Sequence, residues 1–137
     1  SPPESIRAGV MLCPEDRKKD GVFGLRSVAE NINISARRRY SRLGFWINDK
    51  AETENAQAQV NRLSVRTPSL QQPIGLLSGG NQQKAILGRW LSENVRVLML
   101  DEPTRGIDVG AKREIYAWEF CWYPVNYRKY WAFVTAF

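Results

Sequence analysis

An apolar run, Val95-Arg96-Val97-Leu98-Met99-Leu100, ends on two carboxylic acids, Asp101 and Glu102. Open α/β sheets present acids to a ligand crevice in this way, at the carboxyl end of a buried strand. One carboxylate there can hold a magnesium ion, because hard cations prefer oxygen. The next can polarise a water for attack on phosphorus. A strand that merely stops at a solvated turn, with Pro103 as the breaker, accounts for the same residues taken alone. A second group, Leu77-Ser78-Gly79-Gly80-Asn81-Gln82, stands earlier, with Ser78 and Asp101 separated by 23 positions. Glycine weakens a helix interior by about 1 kcal/mol relative to alanine. Two glycines behind a serine at the head of a helical pattern therefore mark a backbone that something approaches closely. Free N–H groups and the dipole of a helix start favour an anion, and Gly79 and Gly80 would admit a phosphate without Cβ obstruction. An ordinary N-cap after a flexible loop is the plainer reading of that tetrapeptide by itself.

These groups need elements to hold them. Ala8 to Cys13 suits a short buried strand, followed by the polar loop Pro14 to Gly21. Ser27 and Glu30 have capping-box spacing, so a helix is expected from Ser27, with Val28, Ile32 and Ile34 on its buried side. A turn precedes a polar helix over about 51–63. Residues 66–75, with two prolines and a glycine, read as a loop. Ser78 then caps a helix whose Ile86, Leu87, Trp90 and Leu91 form an apolar stripe. Val95 to Leu100 is the strand that carries the acids, and Asp108 caps a last helix. No internal repeat is evident.

The totals bound the function. The 137 residues suffice for one modest domain with a core, and 43% hydrophobic and 25% charged residues are ordinary for a globular chain. A net charge of +6 favours an anionic partner, although the runs Arg17-Lys18-Lys19 and Arg37-Arg38-Arg39 read as solvated faces. Cys13 and Cys121 are too far apart for a metal motif and fit a reduced, cytosolic setting. The complete absence of histidine removes the commonest general base and zinc ligand. No secretory signal or transmembrane run is present. The opening, SPPESIRAGVML, has no initiator Met and reads as a cut through a longer protein.

Taken together, LSGGNQQK and VLMLDEPTRGID resemble the ATP-binding cassette (ABC) ATPases. Leu77 to Gln82 resembles the signature motif and Leu98 to Asp101 the Walker B strand, with Glu102 at the catalytic glutamate position. Gly106-Ile107-Asp108 falls where that family has its D-loop. The stretches GVMLCPEDRKKDG, NINISARR, LSGGNQQKAILGRWL and LDEPTRGIDVGAKREIY are similar to the second cassette of bacterial monosaccharide importers, the L-arabinose import ATPases most of all. The resemblance covers roughly residues 5–117.

The fold implied is part of an α/β P-loop nucleoside-triphosphatase of the ABC type, with the helical signature subdomain and part of the core sheet. Its domain would span 1–117, with 118–137 a separate tail. The resemblance further implies two cassettes closing head to tail around two ATP molecules. Ser78, Gly79, Gly80, Asn81 and Gln82 would belong to the seat for ATP held by the other cassette. Asp101 would help hold Mg2+, Glu102 would orient water, and Asp108 would communicate across the dimer. Glu15 sits near the place of the Q-loop glutamine that links to the permease. The implied partners are the other cassette and a sugar permease in the inner membrane, with no direct nucleic acid. The implied location is cytoplasmic, peripheral to the inner membrane through the permease. No G-x-x-x-x-G-K-[ST] occurs in the sequence, so nothing here cradles the β- and γ-phosphates or supplies the neutralising lysine. The switch histidine is missing too. The expectation is a fragment that neither binds ATP tightly nor hydrolyses it alone.

After Ala117 the composition changes: residues 116–137 hold ten of the fifteen aromatics. A frameshift explains this. With permissible codons, Trp118 onward read two nucleotides later spells GVLLVSSELPEVL, which resembles the strand and switch region missing from the family pattern. The tail is then expected to stand outside the fold and to be an aggregation liability. Two other classes stay open: a non-catalytic interaction module using the aromatic tail, and a DNA-repair or translation ABC ATPase.

Overall fold

The computed structural model describes residues 2–14, 16–37, 41, 42, 46–93, 95–101, 106–110, 112, 113 and 133–136. The chain opens on helix α1 (Pro2–Arg7), with Glu4 in its first turn and Arg7 in its last, both complementing the helix dipole. Strand β1 (Val10–Cys13) follows. It pairs in parallel with β4 (Val97–Asp101), Val10 opposite Val97 and Cys13 opposite Leu100. On the other side of β4 lies β5 (Phe133–Ala136), also parallel, with Asp101 opposite Ala136. The order β1-β4-β5 makes the acid-bearing strand the central one. Four residues of the aromatic tail thus join the sheet, where the sequence pattern places the whole tail outside the fold.

Helix α2 (Val28–Asn33) begins as its capping box requires, with Ser27 Oγ accepting from the Glu30 N–H and the Glu30 carboxylate accepting from the Ser27 N–H. Val28 and Ile32 are buried, but Ile34, expected beside them, is 39% exposed, because the helix ends at Asn33 and its face is not continued. A short antiparallel pair, β2 (Ser41–Arg42) and β3 (Trp46–Ile47), leads into helix α3 (Asp49–Arg62). Asn48 caps α3 through its side chain. Its few inward residues are Ala56, Gln59 and Val60. Helix α4 (Gly79–Leu91) starts directly behind Ser78.

Two apolar clusters meet on α4. One joins Val28, Ile32, Val60, Leu63, Val65 and Ile74 to Ala85, and the other joins Met11, Cys13, Val95, Leu98 and Leu100 to Ile86. A helix held between a helical layer and a sheet buries its polar residues as well. Gln82, Gln83, Lys84 and Arg89 are all nearly inaccessible. Each finds a partner on a different segment: Leu77 carbonyl, Cys13 sulfur, Ser64 carbonyl and Asn31 carbonyl. Buried polar groups must be bonded in this way or cost the full desolvation penalty. The consequence for function is that the head of α4 is fixed from several sides.

Candidate functional site

At that head the backbone of Ser78 is extended (φ −59°, ψ 154°), and its carbonyl accepts from the Gln82 N–H at 2.9 Å. Its hydroxyl does not cap the helix. It accepts instead from Asn81 Nδ2 at 2.9 Å, and Asn81 Oδ1 accepts from the Arg66 N–H at 2.8 Å. Asn81 therefore ties the segment after α3 to the helix start. Gln82 turns the other way: its amide donates to the Leu77 carbonyl at 3.0 Å and the Ile74 carbonyl at 3.3 Å. This side chain helps to hold the preceding loop against the helix. The sequence reading put Gln82 towards a ligand; in the structure it is 4% exposed and braces the loop.

A cleft of about 140 Å3 opens at this point. Ser78, Gly80, Asn81 and Lys84 of the α4 segment form one wall, Asp108 and Gly110 the other, and Arg66 completes it. Two cations against one carboxylate make the cleft attractive to an anion. Lys84 reaches it from a buried stem and donates from Nζ to the Ser64 carbonyl at 3.0 Å. Ser64 sits in the left-handed region (φ 50°), where α3 ends and glycine is the usual choice. Neither Arg66 nor Lys84 was expected from sequence as part of a site. A signal existed for Lys84, which follows Gly80 by one helical turn and so shares its face. None existed for Arg66, which arrives through Asn81.

Gly79 does not line the cleft. The place a side chain would take there is filled by the Arg17 guanidinium, whose Nη2 lies against the position of a Cβ. Asp101 is half-buried at the end of β4 and does not line the cleft either. Among the described residues no three His, Cys, Asp or Glu side chains converge. Glu102 and Glu15 lie outside the described residues. No helix among the described residues is long and apolar enough to cross a membrane.

Known proteins resemble this chain in sequence and in fold. The ABC transporter family matches residues 2–105. The arabinose import ATP-binding protein AraG of Mannheimia succiniciproducens is 64% identical over 116 residues, covering 85% of this chain and 23% of that protein. Its counterpart in Pseudomonas savastanoi pv. phaseolicola is 64% identical over the same shares. That of Chromohalobacter salexigens is 56% identical over 117 residues, 85% of this chain and 24% of that one. The chain thus spans under a quarter of the length of these relatives. In solved structures, the fold is similar to a nucleotide-free ATP-binding cassette from an ABC transporter (TM-score 0.74, 19% identity, all of this chain and 54% of that one). It is also similar to an ATP-binding cassette dimer in a post-hydrolysis state bound to ADP and phosphate (TM-score 0.71, 16% identity, 97% and 54%).

Proposed function

The chain belongs to the ABC transporter family, and from that premise we propose that it forms part of an ATP-binding, ATP-hydrolysing cassette that energises import of a monosaccharide, L-arabinose first among them. The observation that carries this reading is the cleft at the head of α4, where Ser78, Gly80 and Asn81 face Asp108 and Gly110 beside two cations. The relatives at 56–65% identity are arabinose import ATP-binding proteins.

The residues present fit a nucleotide phosphate. The Ser78 hydroxyl, the outward N–H groups of the first turn of α4, and the Arg66 and Lys84 charges form an anion donor set. Bound ATP supplies the phosphoanhydride whose hydrolysis drives the cycle, and Mg2+ neutralises charge on it. Ser78 and Gly80 orient the phosphates presented by a second cassette. Asn81 keeps the Ser78 hydroxyl aimed, and Asp108 reports the closure to the facing subunit. Asp101 would offer a hard oxygen ligand to Mg2+ at the end of β4. Glu102 would orient the attacking water. The partners in this reading are a second cassette, head to tail, and a sugar permease, which places the chain at the cytoplasmic face of the inner membrane.

The test is association. The purified chain is mixed with a cassette carrying a G-x-x-x-x-G-K-[ST] loop, and sedimentation is followed with and without MgATP. MgATP-dependent association that Ser78→Arg abolishes is the expected result. The chain alone shows no ATP turnover above a Glu102→Gln control. Association indifferent to both nucleotide and Ser78→Arg defeats the reading.

A further inference from the structure

The two walls of the cleft come from distant parts of the chain, the start of α4 and the segment beginning at Gly106. Arg17 reaches both. Its Nη2 donates to the Gly106 carbonyl at 3.3 Å across 89 residues of sequence. The same guanidinium lies where a Gly79 side chain would be, with Nη2 nearest to an ideal Cβ and Cζ 3.0 Å from it. A larger side chain at position 79 would have to push that guanidinium aside.

Arg17 is also held from behind. It begins a single wide turn, Arg17–Gly21, closed by the Val22 N–H donating to the Arg17 carbonyl at 2.8 Å. Such i to i+5 turns recur at functional sites. Asp16 caps the turn by accepting from the Lys18 and Lys19 N–H groups, both at 3.1 Å. At its far end a Cβ on Gly21 would lie 2.9 Å from Ile86 Cδ1, so the turn is seated on α4 itself. The stem of Arg17 is therefore fixed relative to the helix whose head it covers. Lys18 and Lys19, from the same basic run, are exposed.

We propose that Arg17 is a positioning residue that sets the spacing of the two cleft walls, its guanidinium filling the place that a Gly79 side chain would take. What that spacing serves rests on the nucleotide reading above; the clamp itself does not. Arg17 suits this task better than lysine, because its fork of N–H donors is planar and pre-organised, so less freedom is lost per bond formed.

The experiment is a double-mutant cycle on the full chain, read by urea unfolding, together with amide hydrogen exchange. Gly79→Ala lowers the unfolding midpoint in the wild-type background. In the Arg17→Ala background the same substitution leaves the midpoint unchanged or raises it, because alanine is the better helix former. If Gly79→Ala does not fold alone, the double variant Arg17→Ala/Gly79→Ala still does. In Arg17→Met the Lys112 amide, which donates to the Asp108 carbonyl at 2.9 Å, exchanges about tenfold faster, while amides shared by β1 and β4 keep their rates. Arg17→Lys recovers part of that protection. An equal effect of Gly79→Ala in both backgrounds overturns the proposal, and so does unchanged exchange at Lys112. Neither measurement contains nucleotide. Their failure leaves the reading of the cleft standing, and failure of MgATP-dependent association leaves the clamp standing.

Discussion

The helical layer and the sheet layer hold α4 by different means. On the sheet side the partners are Met11, Val95, Leu98 and Leu100, with a polar contact from Gln83 Nε2 to Cys13 Sγ at 3.0 Å. On the helical side the apolar cluster is laced with bonds. Arg89 Nε donates to the Asn31 carbonyl at 2.8 Å and Nη2 to Asn31 Oδ1 at 3.3 Å. Asn31 in turn accepts from the Phe23 N–H at 2.9 Å and donates to the Ser27 carbonyl at 3.0 Å. Asn55 joins Asn33 to Ser92. Apolar packing tolerates sliding, whereas directional bonds set register. The sheet layer presents its carboxylate at the end of a strand paired on both sides. The layer that shapes the cleft needs a fixed helix, and it fixes it with side chains.

The largest effect should follow from cutting the strongest of those ties. Arg89 is 6% exposed, and burial lowers its guanidinium to about 10, still protonated at neutral pH. Arg89→Ala leaves a cavity and a bare Asn31 carbonyl, at a cost of about 3 kcal/mol. Arg89→Met refills the volume and removes a desolvated charge, so its cost is about 1 kcal/mol. Urea unfolding separates the two. Equal losses would show that the bond to Asn31, rather than volume, dominates this layer.

The sheet layer offers a pH test of the same contrast. Burial pushes the Cys13 thiol up from 9.0 to about 11, against a smaller lowering from the Gln83 amide. The unfolded chain then holds fewer protons than the folded chain between those values. This stabilisation is full below pH 9 and is lost as pH rises towards 11. Arg89 works oppositely above pH 10, where the unfolded chain keeps its proton longer. The window to read is therefore pH 9 to 10, with a fall of about 1 kcal/mol. Cys13→Ala should flatten it. An unchanged slope would mean that the thiol is not sealed in the sheet layer.

What could be read from sequence follows the same division. The capping box at Ser27, the strand ending on Asp101 and the helix behind Ser78 are local patterns, and each stands within two residues of its expected place. Bonds to distant carbonyls leave no local trace. Gln82, Lys84 and Arg89 look like the polar face of an amphipathic helix until the second layer covers them. Arg17 was masked by its two lysine neighbours, which do form a solvated face. Helix α1 was not anticipated, although proline suits a helix's first turn. Strand β5 carries no alternation that would mark it, and it takes its place by pairing with β4.

The smallest effect sharpens the comparison at its edge. The capping box of α2 joins the Glu30 N–H to Ser27 Oγ at 3.1 Å and the Ser27 N–H to Glu30 Oε2 at 2.9 Å. Ser27→Ala should cost about 1 kcal/mol, since one of the helix's first donors loses its partner. The Ser27 N–H, followed by its hydroxyl and the Arg26 cation, holds the Glu30 carboxyl below its usual 4.5. A lowered carboxyl stabilises above the unfolded value, and that contribution is lost as pH falls through the folded one. Ser27→Ala keeps the backbone N–H, so much of the acid dependence should survive it, whereas Glu30→Gln should remove that dependence while keeping the hydroxyl bond. Unfolding midpoints at pH 3 to 6 for the two variants distinguish these halves. If both lose the acid dependence together, the box acts as one unit, and α2 owes its start to cooperation between side chains as the rest of its layer does.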